Sequence, residues 1–153
     1  MSVPHDEIAR RMAAFTEVCR KAGIKVTLQR TEVYRELAAT EEHPDAETVY
    51  RRVQKRIPTI SLDTVYRTLS LLENLKLISR VLVTSERTRF DANVSPHHHF
   101  ICSECGLVRD FSSTECDQVK IPPEVAAWGT VTSLHVEVRA ICSDCRGRER
   151  RER

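Results

Sequence analysis

Aromatic residues make up only 5% of this chain, and glycine is scarcer still, with four in 153 residues. A chain so poor in rings has to build its core from aliphatic side chains, and a hydrophobic fraction of 41% allows that. Divided between two domains, the same material gives one of them a core too small to stand alone, and that domain then needs a disulfide or a metal as a staple. Long apolar runs are missing too: none reaches the roughly eighteen residues of a membrane span, so no membrane partner is expected. The N-terminal stretch "MSVPHDEIARR" has no apolar signal core. We therefore expect a cytoplasmic protein in reducing surroundings, where its six cysteines read as metal ligands or free thiols before disulfides. Charge of one sign is also lacking, since 24 Lys and Arg face 22 Asp and Glu for a net +2. Residues 1–84 hold fourteen basic against eleven acidic side chains, and residues 85–153 hold ten against eleven. The mildly basic first part permits nucleic-acid binding without requiring it.

The apolar pattern is helical at first. Ile8, Met12, Phe15 and Val18 or Cys19 recur at helical spacing over residues 6–22, and Gly23 ends the run. Thr27 is placed to cap a helix whose face holds Leu28, Val33, Tyr34 and Leu37. After the turn "EEHPD", Asp45 caps "AETVYRRVQKR", which Pro58 stops. Ser61 caps a helix over 61–74 with Asp63 at its positive end and an apolar stripe of Leu62, Val65, Leu69 and Leu72. Beyond Leu75 the period shortens. "ISRVLV" and "TRFDA" flank "TSER" and predict a hairpin. Helices followed by a hairpin are the order of a winged helix-turn-helix.

From Asp91 onward, "HHHFIC", "LVRDF" and "VTSLHVEVRAIC" predict strands, and "STECDQVKIPPEVAAWG" predicts a short helix interrupted by Pro122 and Pro123. The charged tail "RGRERRER" reads as a solvated helix end. The expected fold class is α+β, with a winged helix-turn-helix domain over 1–84, a wing end and hinge over 85–92, and a small α/β domain over 93–153.

Two Cys-x-x-Cys knuckles, Cys102 with Cys105 and Cys142 with Cys145, bracket that last segment. Four thiolates suit a tetrahedral structural zinc, and a two-residue spacer turns both sulfurs of a pair toward one ion. Gly106 allows the tight turn after the first knuckle. Disulfides or redox pairs are disfavoured by the compartment, and an iron–sulfur cluster needs a less common arrangement. Cys19 reads as a core thiol, and Cys116 lies in a polar loop with nothing beside it to activate it.

In "PHHHFIC" a strand turns His97 and His99 to one face and His98 and Cys102 to the other. A second site, separate from the thiolates, can therefore take His97 and His99. Carboxylates at Asp91 and Asp110 are at hand, and His43 could close the shell, but spacing alone does not select among them. Imidazoles with carboxylates suit iron and manganese as well as zinc. His5 and His135 read as bland.

The motifs "TLQR", "HPDAETVYRRV", "SLDTVYRTLSLL", "RFD", "HHHFICSECG", "DF" and "CSDC", in that order over about residues 8–145, resemble the ferric uptake regulator family. The resemblance implies a homodimer that binds a double-stranded, palindromic DNA operator through its winged helices and pairs through its α/β domains. It implies one structural Zn2+ per subunit on Cys102, Cys105, Cys142 and Cys145. It also implies a regulatory Fe2+ or Mn2+ on His43, Asp91, His97, His99 and Asp110, which would fix the angle between the domains and so the spacing of the two recognition helices. Aspartate rather than glutamate at 110 resembles the peroxide-sensing branch. A further site that many iron regulators carry lacks its histidines here, where Pro96 and Leu134 stand.

On this reading the protein is a repressor, not an enzyme. Hydrogen peroxide reacting at the iron would add oxygen to a ligand histidine, His43 or His99, and release the DNA, whereas manganese would permit DNA binding and react poorly. Ser61, Thr64, Tyr66 and Arg67 of the helix 61–74 are the expected DNA contacts, with Thr68 on the same polar side; Arg67 can reach guanine in the major groove. The alternatives are a reversible iron, zinc or manganese uptake regulator of the same build, and an iron oxygenase or zinc hydrolase. The enzyme reading leaves the winged helix unexplained.

Overall fold

The computed structural model describes residues 3–83 and 87–149. The chain divides into two compact units, Met1–Val94 and Ser95–Arg153.

The first unit opens with α1 (His5–Lys21), whose Phe15 and Cys19 are buried, with Met12 and Val18 partly so. Gly23 at φ 69° closes it: Ile24 N–H donates to the Cys19 carbonyl at 2.8 Å and Gly23 N–H to that of Arg20 at 3.2 Å. This is a left-handed cap that satisfies carbonyls the helix leaves open. Three helices follow, α2 (Leu28–Ala38), α3 (Ala46–Gln54) and α4 (Leu62–Asn74). Each begins at the expected cap: Thr27 accepts from Arg30 N–H, Asp45 from Thr48 N–H and Ser61 from Thr64 N–H. The helices bury Val33, Leu37, Val49, Val53, Leu69 and Leu72 in one core, and Phe15 stacks on Tyr34 with ring centroids 5.0 Å apart. Strands β1 (Ser79–Val83) and β2 (Arg87–Asp91) pair antiparallel as the wing. Residues 84–86 of the expected "TSER" turn lie outside the described residues, as do 150–153 of the charged tail.

Three details of the first unit differ from the sequence reading. Leu28 is exposed. It precedes Val33 by five residues, about 140° around a helix of 3.6 residues per turn, so it cannot share the core face. Thr68 is buried, because it sits three residues after Val65 and four before Leu72 on the apolar stripe. α3 ends at Gln54, before the turn that leads to Pro58, rather than at the proline.

In the second unit β3 (His98–Cys102) is central, antiparallel to β4 (Val108–Phe111) and parallel to β5 (Glu137–Ala140). The expected long last strand is thus only four residues. Between β4 and β5 lie two short helices in place of one interrupted helix, α5 (Thr114–Asp117) and α6 (Pro123–Trp128). Pro123 opens α6 rather than breaking it, since the first helical position needs no N–H partner. α7 (Ser143–Glu149) carries the last knuckle into the tail.

Replacing Gly23 by Ala tests the cap. A Cβ there meets nothing within 4 Å, so the cost is backbone strain alone. We expect a destabilisation of about 1 kcal/mol, read as a lower urea midpoint for the first unit; an unchanged midpoint would rule out the left-handed geometry.

Candidate metal centres and recognition helix

β3 delivers Cys102 at its end, and the turn closed by Gly106 at φ 70° brings Cys105 back beside it, with Gly106 N–H on the Cys102 carbonyl at 3.0 Å. Cys142 follows β5, and Cys145 stands in the first turns of α7. The parallel register, Cys102 opposite Ala140, sets the two knuckles side by side. All four sulfurs lie within 4.8 Å of one another, and those of Cys105 and Cys142 are 3.8 Å apart. Zinc–sulfur bonds of about 2.3 Å in a tetrahedron place the sulfurs about 3.8 Å apart. The thiols are free and unbridged. The set therefore fits structural zinc.

The proton chemistry agrees. Amide N–H groups of Cys105 and Cys142 hold the Cys102 thiol down at about 6. Hydrogen bonding with the sulfur of Cys142, then burial, push Cys145 up to about 12. One thiolate forms readily, at Cys102, and Cys145 resists ionising until a dication is present.

The histidines and aspartates fall into a set on each unit. In the first, His43 is buried in the turn before α3, and its Nε2 lies 3.3 Å from Oδ2 of Asp91 at the end of β2. Asn93 N–H donates to the other oxygen, Oδ1, at 2.7 Å, which fixes the carboxylate. In the second, His99 and Asp110 are register partners across β3 and β4, with His99 Nε2 3.3 Å from Asp110 Oδ1. His97 Nε2 lies 2.9 Å from His99 Nε2 and 3.5 Å from the same aspartate oxygen. The Ser95 carbonyl is 2.7 Å from His97 Nδ1, so it accepts a hydrogen bond from Nδ1–H and leaves the Nε2 lone pair facing the cluster. Imidazole donors about 2.1 Å from an ion and at right angles lie about 3.0 Å apart. These imidazole and carboxylate donors fit iron or manganese.

His98 went unassigned in the sequence. It is buried on the opposite face, its Nδ1 accepting from Val136 N–H at 3.2 Å and its Nε2 3.0 Å from Asp117. Strand alternation shows only that it points away from its neighbours; the partners come from segments remote in sequence. Cys19 is a buried thiol whose burial raises its pKa. Cys116 belongs to α5 rather than to a loop.

On α4, the expected DNA contacts lie at the helix start and on its open side. Ser61 and Thr64 share a hydroxyl hydrogen bond of 2.9 Å, Tyr66 is half exposed, and Arg67 is 81% exposed in an ion pair of 2.8 Å with Asp63. Thr68 is excluded from that face by its burial.

The profile of the Ferric uptake regulator family matches residues 21–139. This chain belongs to the ferric uptake regulator family. It is 28% identical over 146 residues to the peroxide-responsive repressor PerR of Staphylococcus epidermidis, covering 95% of this chain and 97% of that protein. The Campylobacter jejuni peroxide stress regulator superposes with a TM-score of 0.67 at 27% identity, over 88% of this chain and 98% of that one. A zinc-bound manganese uptake regulator superposes at 0.66 and 30% identity, over 83% and 97%. Members of the ferric uptake regulator family are metal-dependent transcriptional regulators rather than enzymes; they bind DNA and form dimers. Among the described residues no helix is long and apolar enough to cross a membrane.

Because zinc competes with protons for thiolates, acid weakens its hold. Acidifying the zinc-loaded protein should release zinc to a chromogenic chelator at a pH below about 6, the point at which the metal-free Cys102 takes up its proton. Cys105→Ser should release it at a higher pH. Release that ignores pH would contradict the four-thiolate assignment.

Proposed function

We propose that this regulator is a repressor that senses hydrogen peroxide through oxidation of a ligand histidine, with His43, Asp91, His97, His99 and Asp110 holding one regulatory Fe2+ or Mn2+. The observation that carries the reading is the placement of Asp110 opposite His99, at the position where the family resemblance associates aspartate with peroxide sensing. The similarity to peroxide-responsive repressors along 95% of the chain supports it.

The residues have distinct tasks. Ser95 and Asn93 orient His97 and Asp91, so that donor atoms are aimed before metal arrives. Ferrous iron, when bound, supplies the reducing chemistry that opens the O–O bond. His43 or His99 would be the group oxidised, a ring C–H becoming C–OH with one peroxide oxygen while the other leaves as water. The altered ring would be a poorer donor, so the site would hold its metal less tightly and no longer favour the DNA-competent arrangement.

For DNA, α4 is the reader, with Arg67 on a base edge, Tyr66 beside it, and Ser61 and Thr64 near phosphate. Two copies would present two such helices to a palindromic operator. Val119, Val125, Trp128, Val131, Val138 and Ile141 of the second unit are all exposed, Trp128 by 82%, which supports pairing through that unit.

The test is operator binding by zinc-loaded protein with Fe2+ or Mn2+, before and after a low dose of peroxide. We expect loss of binding with iron only. Retention by the iron form would favour a reversible metal-uptake regulator instead. Arg67→Ala should cost about 1–3 kcal/mol of discrimination between operator and scrambled DNA at fixed salt. The exposed pair with Asp63 contributes little by itself, so a loss of that size reports a base contact, and equal weakening on both DNAs would contradict one.

A further inference from the structure

The turn that carries His43 is bonded along its length to the wing. His43 is a non-glycine residue at φ 53°, a left-handed backbone that persists only where surrounding contacts over-determine it. Those contacts come from β2. Arg89 Nη1 donates to the His43 carbonyl at 3.3 Å, Phe90 N–H donates to the Pro44 carbonyl at 3.1 Å, and Asp45 and Arg89 form an isolated antiparallel bridge. The next residue of the strand but one is Asp91, whose carboxylate returns to the His43 ring at 3.3 Å. Asp45 in turn caps α3 through Thr48 N–H at 2.8 Å. A ring of contacts thus runs from the His43 imidazole through its own carbonyl to the Arg89 guanidinium, along β2 to Asp91, and back.

We infer that Arg89 is a positioning residue that couples the His43–Asp91 pair to the wing, so that metal on this pair fixes the wing hairpin for DNA within one winged-helix unit. The inference rests on the reading that His43 and Asp91 hold the regulatory metal. It adds a local route to the change in domain angle, because the wing answers the metal without any movement of the second unit. When the His43 ring lets go, the left-handed turn has lost one of the contacts that hold it. Relaxation of that turn withdraws the carbonyls of His43 and Pro44 from Arg89 and Phe90.

Two simpler roles make different predictions. An arginine that only touches phosphate would change DNA affinity and its salt dependence equally with and without metal. One that only stabilises the fold would lower thermal stability without altering the ratio of DNA affinities with and without metal. Coupling alters that ratio.

The experiment measures operator affinity of the full-length, zinc-loaded protein with and without Mn2+, for wild type, Arg89→Ala, Arg89→Lys and Asp91→Asn. We expect Arg89→Ala to reduce the manganese enhancement about tenfold, and Arg89→Lys, which keeps a donor for the carbonyl, to restore part of it. In the wild type, amide hydrogen exchange at Phe90 should slow about tenfold on adding Mn2+, a readout that depends on no variant folding. If Asp91→Asn abolishes the enhancement but Arg89→Ala leaves it intact and Phe90 exchange ignores the metal, the coupling is overturned and the metal assignment stands. If Asp91→Asn leaves the enhancement intact, the metal assignment itself fails.

Discussion

The second unit depends on one requirement, that four sulfurs meet at the corners of a tetrahedron. Among the described residues its buried side chains are few: Ile101 and Val108 from the sheet, His97 and His98, and three of the four knuckle cysteines. Among the described residues the sulfur cluster gathers Phe100 and Leu107 as partly buried neighbours. A core this small cannot offset the entropy of ordering the unit, and structural zinc in small domains contributes free energy of about 10–16 kcal/mol. Everything that β3 carries follows from that anchor. Cys102 ends the strand in the cluster while His97 and His99 stand at its other end, so the staple that folds the unit also fixes the direction of the proposed metal donors.

The first unit is built the opposite way. Its four helices share a mainly aliphatic core from Phe15 to Phe90, far larger than the buried set of the second unit. That leaves polar groups there available for signalling. The turn between α2 and α3 uses them densely: within three residues it holds a buried imidazole, a carbonyl bonded to the wing strand, and a helix cap. If His43 is oxidised as proposed, a change in such a turn has consequences for the elements around it.

Much of this was legible in the sequence, because the strongest signals are local. The caps Thr27, Asp45 and Ser61 each precede an apolar helical stripe, and the paired knuckles have a spacing that few other chemistries share. Periodicity was less secure at element ends, where Leu28 lies too far around the helix from Val33 to be buried, and for small polar side chains, where Thr68 was taken for surface. Strand alternation paired His97 with His99, but His43, Asp91 and Asp110 were nameable as candidate ligands only through family resemblance, since no spacing rule links His43 to Asp91 across an entire winged helix. The roles of His98 and Arg89 were invisible, because each is defined by contacts to backbone groups of residues distant in the chain.

The most direct test of peroxide sensing at the histidine–aspartate donors is peptide mass spectrometry of iron-loaded protein after a brief exposure to hydrogen peroxide, with manganese-loaded protein alongside. The account predicts one added oxygen on the peptide containing His43 or that containing His99, in the iron form alone, with the four zinc cysteines unmodified. Unmodified histidines together with oxidised Cys102, Cys105, Cys142 or Cys145 would contradict it and move the sensor to the zinc site.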